Sequence, residues 1–215
     1  MKKLKFIIIL ILLNHSILYG AGNESSFARV KLNNDVQVDL PRTWTYLDKN
    51  IADHLNTTSE AISNQISIPL NQSNNEILVA ANAYDSQGKS KATFRISSRK
   101  VPSLTQLQMK EIAEKQSKTV ESELYSTAEK TARALPAAPG IRAAKVLSTK
   151  IDRNNNLVCL LTSIETITDR GPIIMDTWIC PSGTRTIKLS TSYHKNYSVI
   201  YQPIIHRIWR SLTAI

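Results

Sequence analysis

Residues 159–180 read CLLTSIETITDRGPIIMDTWIC, and the way its two halves face each other decides what kind of fold the chain builds. Runs rich in Ile, Leu, Thr and Trp flank the polar segment Thr168-Asp169-Arg170-Gly171, the composition of two strands and their turn. A two-residue loop at Asp169-Arg170 sets Cys159 opposite Cys180, Leu161 opposite Trp178, Leu160 opposite Ile179 and Ile164 opposite Met175. Apolar residues then meet apolar residues on both faces, which is the condition that selects a register. A three-residue loop with Gly171 in the left-handed region suits the turn chemistry slightly better and slips the pairing by one. The register that brings the sulfurs together is preferred.

Cys159 and Cys180 are the two cysteines of the chain, an even count suited to an oxidising compartment. Bridged, they close a loop worth about 3 kcal/mol in the chain-entropy picture. Neither belongs to a C-x-x-C pair or adjoins a helix N-terminus that would lower a thiol pKa, so the bridge reads as a staple and not as a redox centre.

Further hairpins lie on both sides. Upstream, Val30 and Leu32 alternate into the turn Asn33-Asn34-Asp35 and out through Val36, Val38 and Leu40, where Pro41 ends the ladder. Thr43 to Leu47 continues as a short extended piece, and Asp48 or Asn50 caps an expected short helix with Ile51, Leu55 and Ile62 on one face. Residues 63–75, rich in Asn, Gln and Ser, read as a loop. Ile77–Tyr84 and Ala92–Ile96 form a second hairpin turning near Gly88. Downstream, Ile141–Ile151, the disulfide hairpin and Thr186–Tyr193 complete a four-strand meander.

Two stretches carry helical spacing. Leu104, Leu107, Ile112, Val120, Leu124, Ala128, Ala132 and Leu135 recur over about thirty residues, opened by Ser103 and Gln106 at capping-box spacing. A continuous helix of that length would run near 45 Å, more than one sheet covers, so a kink or an overhanging end is expected. The tail places Ile204, Ile208 and Leu212 at i, i+4 and i+8 beside Trp209, with Pro203 in the first turn of the helix. Trp44 and Trp209 are read as structural core, while Leu161 and Trp178, on the face of the disulfide, form a candidate exposed partner surface. Hairpins dominate, which gives an α+β class with a mostly antiparallel β-sheet packed between helices, an α/β/α layered sandwich.

The head of the chain has Lys2, Lys3 and Lys5, an unbroken apolar run from Phe6 to Leu13, and then Gly20, Ala21 and Gly22. This order is that of a secretory signal peptide over residues 1–20, cleaved after Gly20 or Gly22. The alternative of a membrane anchor is disfavoured because Asn14-His15-Ser16 interrupts the run short of the roughly 20 apolar residues a bilayer needs. Residues 21–27 are then a disordered lead-in and 28–215 a single domain, exported to the periplasm or secreted. The full chain carries 27 Lys and Arg against 17 Asp and Glu; removing residues 1–20 takes three Lys and no acid and leaves 24 against 17, a net of +7. That dispersed excess, densest at Lys89, Lys91, Arg95, Arg99 and Lys100, suits anionic surfaces such as lipid headgroups and offers no nucleic-acid module.

The strand and closing helix also bear a likeness. Val36-Gln37-Val38-Asp39-Leu40-Pro41-Arg42-Thr43-Trp44 resembles the "strand, Leu-Pro, any two residues, Trp" opening of the PsbP-like superfamily, and Ile204 to Leu212, ending in Ser-Leu, resembles its last helix. The resemblance, over about residues 28–213, implies an antiparallel sheet between helices and no catalytic residues. The chain departs from the family's lipoproteins by lacking a lipidated Cys and from other members by its hairpin cysteine pair.

Signals for chemistry are few. His54, His194 and His206 lie on separate elements, without H-x-x-x-H, H-E-x-x-H or a Cys/His cluster, so no metal or cofactor is expected. Neither G-x-S-x-G nor a glycine-rich phosphate loop occurs. Glu165 and Asp176, with Ser163, are the nearest thing to a polar constellation, but a glycosidase pair needs a cleft. The reading is a non-catalytic exported protein that binds a protein partner through its sheet face or long helix. The alternatives are a small-molecule or lipid binder with a pocket between sheet and helices, and an immunity-type inhibitor of an exported toxin.

Overall fold

A computed structural model describes residues 26–32, 36–47, 75–100, 105–114, 118–154, 156–182 and 184–214. The expected signal peptide, the 33–35 turn, the helix and loop of 48–74 with His54, and Ser103 lie outside them.

The disulfide hairpin is built as β7 (Val158–Thr168) and β8 (Gly171–Ser182). Leu160 pairs with Ile179, Leu161 with Trp178 and Ile164 with Met175, down to Thr168 with Gly171, so the two-residue loop is the one formed. Gly171 takes φ +102°, a conformation that favours glycine, and the Thr168 hydroxyl donates to the Gly171 carbonyl at 2.8 Å. Cys159 and Cys180 are bonded, with Cα atoms 4.4 Å apart.

Around this hairpin stand β6 (Ile141–Arg153) and β9 (Arg185–His194), giving the expected meander. β9 then pairs with β5 (Ser90–Arg99), which pairs with β4 (Asn75–Tyr84) and through it with β3 (Thr45–Tyr46). The seven strands run in the order β3-β4-β5-β9-β8-β7-β6, every neighbour antiparallel. The chain leaves the sheet's middle at β5, passes through two helices and re-enters at the far edge. A smaller sheet joins β1 (Phe27–Lys31), β2 (Val36–Pro41) and β10 (Thr213–Ala214). β1 starts at Phe27, inside the expected lead-in, and the Arg207 guanidinium lies over the Phe27 ring at 4.2 Å.

The long helical stripe is two helices, α1 (Gln106–Glu114) and α2 (Lys118–Ala134). They dock at different places. The Gln106 side chain is half-buried and donates to the carbonyls of Val158 (3.1 Å) and Pro181, while the Val158 N–H donates back to its Oε1 at 2.9 Å. The reciprocal cap sits two residues later than expected: the Thr105 N–H donates to Gln108 Oε1 at 2.8 Å and the Gln108 N–H to the Thr105 hydroxyl at 3.1 Å. With α1 turned this way, Met109 is buried and Leu107 faces solvent at 66% exposure, against its place in the predicted apolar stripe. α2 packs along β6 through Ala128 and Ala132.

On the opposite face of the large sheet lies α3 (Ser198–Ser211), between that sheet and β2. It begins two residues before Ile200, so Pro203 is its sixth residue and not part of its first turn. The carbonyl that Pro203 leaves without a donor is that of Val199, a residue 87% exposed and so open to solvent. Ile205, Ile208, Trp209 and Leu212 fill the core with Val36, Val38, Trp44, Phe94, Leu189 and the disulfide. Arg29 ties down the last residues, donating to the Ser211 carbonyl at 2.6 Å and the Thr213 hydroxyl at 3.0 Å while pairing with Asp39 at 3.1 Å.

Candidate binding site

Trp178 and Leu161 do not form an exposed patch. Trp178 is 1% and Leu161 7% exposed, because α3 covers that sheet face and the Trp178 ring stacks on Trp209. Trp44, at 5% exposure, packs against Phe94 and edge-on to Tyr201. The same covered face carries the polar constellation. Ser163 donates its hydroxyl to Asp176 Oδ1. Burial raises the Asp176 pKa, opposed by that hydrogen bond and by the charges of His206 and Lys150. Glu165 is held by Lys195 at 2.9 Å and Lys145 at 3.0 Å, whose hydrogen bonds depress its pKa. Beside them the Tyr193 hydroxyl is pushed up to about 12 by burial and by the Asp176 charge. The two carboxylates are 4% and 7% exposed and each has a partner in place, the Glu165 Oε2 through the Lys145 ion pair alone, which is the arrangement of a buried structural network. Among the described residues no group of three or more His, Cys, Asp or Glu could hold a metal ion.

The other face of the sheet is different. Alternation puts Leu160, Thr162 and Ile164 of β7 and Met175, Thr177 and Ile179 of β8 toward α2. Because the helix runs along β6, its inner side and those strands leave a cavity of about 300 Å³ between them, bounded on the helix by Leu124, Thr127, Ala128 and Thr131 and just past its end by Leu135. The lining is predominantly apolar, and its one charged residue is Lys188 of β9. Lys188 keeps much of its surface exposed, yet desolvation, followed by the nearby Arg95 charge, lowers its pKa. A cation both reachable and surrounded is one that lines a concavity.

Arg95 and Arg99 share this face. Across the β5–β9 ladder Ser97 pairs with Lys188, Arg95 with Ser190 and Arg99 with Thr186, so Lys188 is the diagonal neighbour of both arginines. Burial lowers the Arg95 pKa, and the Arg99 Nε is buried without a hydrogen-bond partner. Among the described residues none of the three forms an ion pair with an acid. Arg95 and Arg99 belong to the densest basic stretch of the sequence; their period-two spacing, out of phase with Phe94 and Ile96, already marks them as sharing the face away from α3. Lys188, between Ile187 and Leu189, carries the same mark on β9.

A second concavity, open and about 880 Å³, runs along the outer side of α3 past Val199, Gln202, Pro203, His206, Arg207 and Arg210. Among the described residues no helix is long and apolar enough to cross a membrane.

No family model and no curated protein matches the sequence. Among solved structures the chain is similar to cyanobacterial PsbP (CyanoP) from Synechocystis sp. PCC 6803, at TM-score 0.53 and 10% identity over 91% of this chain and 96% of that one. Weaker likenesses are a Bacteroides thetaiotaomicron VPI-5482 protein (TM-score 0.43, 11% identity, 84% of this chain and 45% of that one) and PA94 of Pseudomonas aeruginosa, a protein of unknown function and putative regulator (TM-score 0.38, 9% identity, 87% and 96%). Strand order, helix placement and the cyanobacterial likeness agree: this chain has a PsbP-like α+β fold.

Proposed function

We propose that the protein is a non-catalytic binding protein that takes a small, largely apolar ligand into the cavity between α2 and the seven-stranded sheet. One observation carries this reading: a space of about 300 Å³, lined by Leu, Ile, Met, Ala and Thr and interrupted by a single charge, lies where a well-packed interface would be filled. That volume corresponds to roughly ten water-sized groups. Export is part of the reading, supported by the basic, apolar and small-residue head of the chain and by a cysteine pair that needs an oxidising compartment. N-phenyl-1-naphthylamine, a neutral probe that fluoresces in apolar surroundings, tests it. The wild type should enhance its emission, and Ala128→Phe, which puts a ring into the cavity, should abolish the enhancement in a variant whose far-UV circular dichroism still shows the folded sheet. No enhancement, or an enhancement that Ala128→Phe leaves intact, sinks the reading.

A protein partner is the second reading, favoured by Val199 and Ile200, 87% and 54% exposed on the first turn of α3 beside a groove that carries Arg207 and Arg210. Affinity capture with the wild type and with Val199→Ser/Ile200→Ser decides it: a partner retained equally by both refutes a contact there.

A further inference from the structure

Three cations stand together on the α2-side face of the sheet, where Arg95, Lys188 and Arg99 are diagonal neighbours across β5 and β9. Such neighbours are roughly 7–8 Å apart. Placing like charges side by side and partly out of water is unfavourable, and native proteins compensate it with acids. Here no acid among the described residues answers any of the three, and the Arg99 Nε has no hydrogen-bond partner at all. The nearest acid on the β4 strand, Glu76, pairs opposite Ser98 on the other face and reaches Arg185 at 3.7 Å instead. The missing negative charge is therefore one the described residues do not supply.

We infer that an anion occupies this position, and that the ligand is a single-chain acidic amphiphile whose phosphate or carboxylate head sits over Lys188 and Arg95 while its apolar chain enters the adjoining cavity. Lys188 is the joint between the two parts, since it lines the cavity and belongs to the cation cluster. The inference rests on the cavity reading above and adds to it the charge of the ligand. Guanidinium forks such as that of Arg95 suit two-oxygen heads. Within the cavity Leu124, Leu160, Ile164 and Ile179 meet the chain.

Isothermal titration calorimetry with octyl phosphate, octanoate and neutral octanol tests this on the purified protein. Octyl phosphate should bind roughly tenfold or more tightly than octanol, the difference expected of one charge-assisted contact. Lys188→Met and Arg95→Gln should each shrink that preference and together remove it, while Arg95→Gln, at a residue outside the cavity lining, leaves octanol binding as in the wild type. Both variants remove an uncompensated cation, so each should melt no lower than the wild type, which separates lost binding from lost folding. Equal binding of octanol and octyl phosphate by the wild type overturns the anionic head and leaves the cavity reading standing. Binding of none of the three overturns the cavity reading, and this one with it. A preference for octyl phosphate that survives in the double variant overturns the assignment to Lys188 and Arg95.

Discussion

The indoles of Trp178 and Trp209 are stacked, ring centroids 5.5 Å apart and planes inclined by 22°. One comes from the middle of β8 and the other from the last turn of α3, so this contact clamps the closing helix onto the sheet. Trp178 is held in place by its Nε1–H, which donates to Asp152 Oδ2 at 2.8 Å. Trp209→Ala removes the stack and leaves a cavity over the disulfide. It should cost about 3 to 5 kcal/mol, read as a lowered urea midpoint at unchanged slope.

The Cys159–Cys180 bridge joins neighbouring strands whose register is fixed by the loop at Asp169-Arg170, and both sulfurs lie in the core. Replacing both with Ala should lower stability by about 3 kcal/mol, with the sheet still formed because Leu161, Trp178 and Leu189 keep that face apolar. Wild type with a reductant should reproduce the variant's denaturation midpoint. A variant as stable as the oxidised wild type would show that the staple contributes nothing.

Much of this was legible in the residues. The two-residue loop at Asp169-Arg170 yields the register of residues 159–180, because period-two alternation and apolar matching leave only two choices and the sulfurs decide between them. What alternation does not say is which face a distant helix covers. Trp178 therefore reads as exposed or buried with equal ease until Trp209, 31 residues away, is placed upon it. The helical stripe of 104–135 fails for a related reason. Periodicity registers spacing along the chain, whereas α1 is oriented by Gln106 binding backbone of β7 and β8, a contact no spacing reveals. The cation cluster lies between these cases: the alternation of Arg95, Ser97 and Arg99 is visible, but its adjacency to Lys188 needs the β5–β9 pairing, which joins strands separated by both helices.

Gln106 itself is open to test. Its amide satisfies one N–H and two carbonyls at the ends of β7 and β8, so Gln106→Ala leaves half-buried backbone groups unpaired. A loss of about 1 to 3 kcal/mol is expected, with amide exchange accelerating first in α1. Uniform acceleration through the sheet, with α1 unchanged, would contradict the docking role.

Two carboxylates should act on acid stability in opposite directions. The folded pKa of Glu165 is depressed by Lys195 and Lys145, so its contribution is present above its ordinary value of 4.5 and is lost as pH falls through the folded value. Burial raises that of Asp176, so the folded state binds its proton more tightly and stability falls as pH rises from about 3.8 through the folded value. Glu165→Gln should therefore lower the melting midpoint at pH 7 and lose its effect in acid. Asp176→Asn, whose amide oxygen still accepts from Ser163, should raise the midpoint at pH 7, the gain vanishing below about 3.8. The same sign for both variants at pH 7 would refute the assignment.

Asn154 shows how one turn residue can hold two elements. Its Oδ1 accepts from the N–H groups of Asn156 and Leu157 at 3.0 and 2.8 Å, which shapes the turn between β6 and β7. Its Nδ2 donates to the carbonyls of Trp209 and Leu212 at 2.9 and 2.8 Å, joining the Leu212 N–H on the Trp209 oxygen at the end of α3. Asn154→Asp separates the roles, since the carboxylate keeps the acceptor and has no N–H for the helix. It also brings a negative charge to the negative end of the helix dipole. Asn154→Asp should thus destabilise at least as much as Asn154→Ala at pH 7, by about 1 to 3 kcal/mol, and regain stability relative to Ala when the acid is protonated. If Asp matched the wild type at neutral pH, the turn alone would account for Asn154, and the helix contact would carry no free energy.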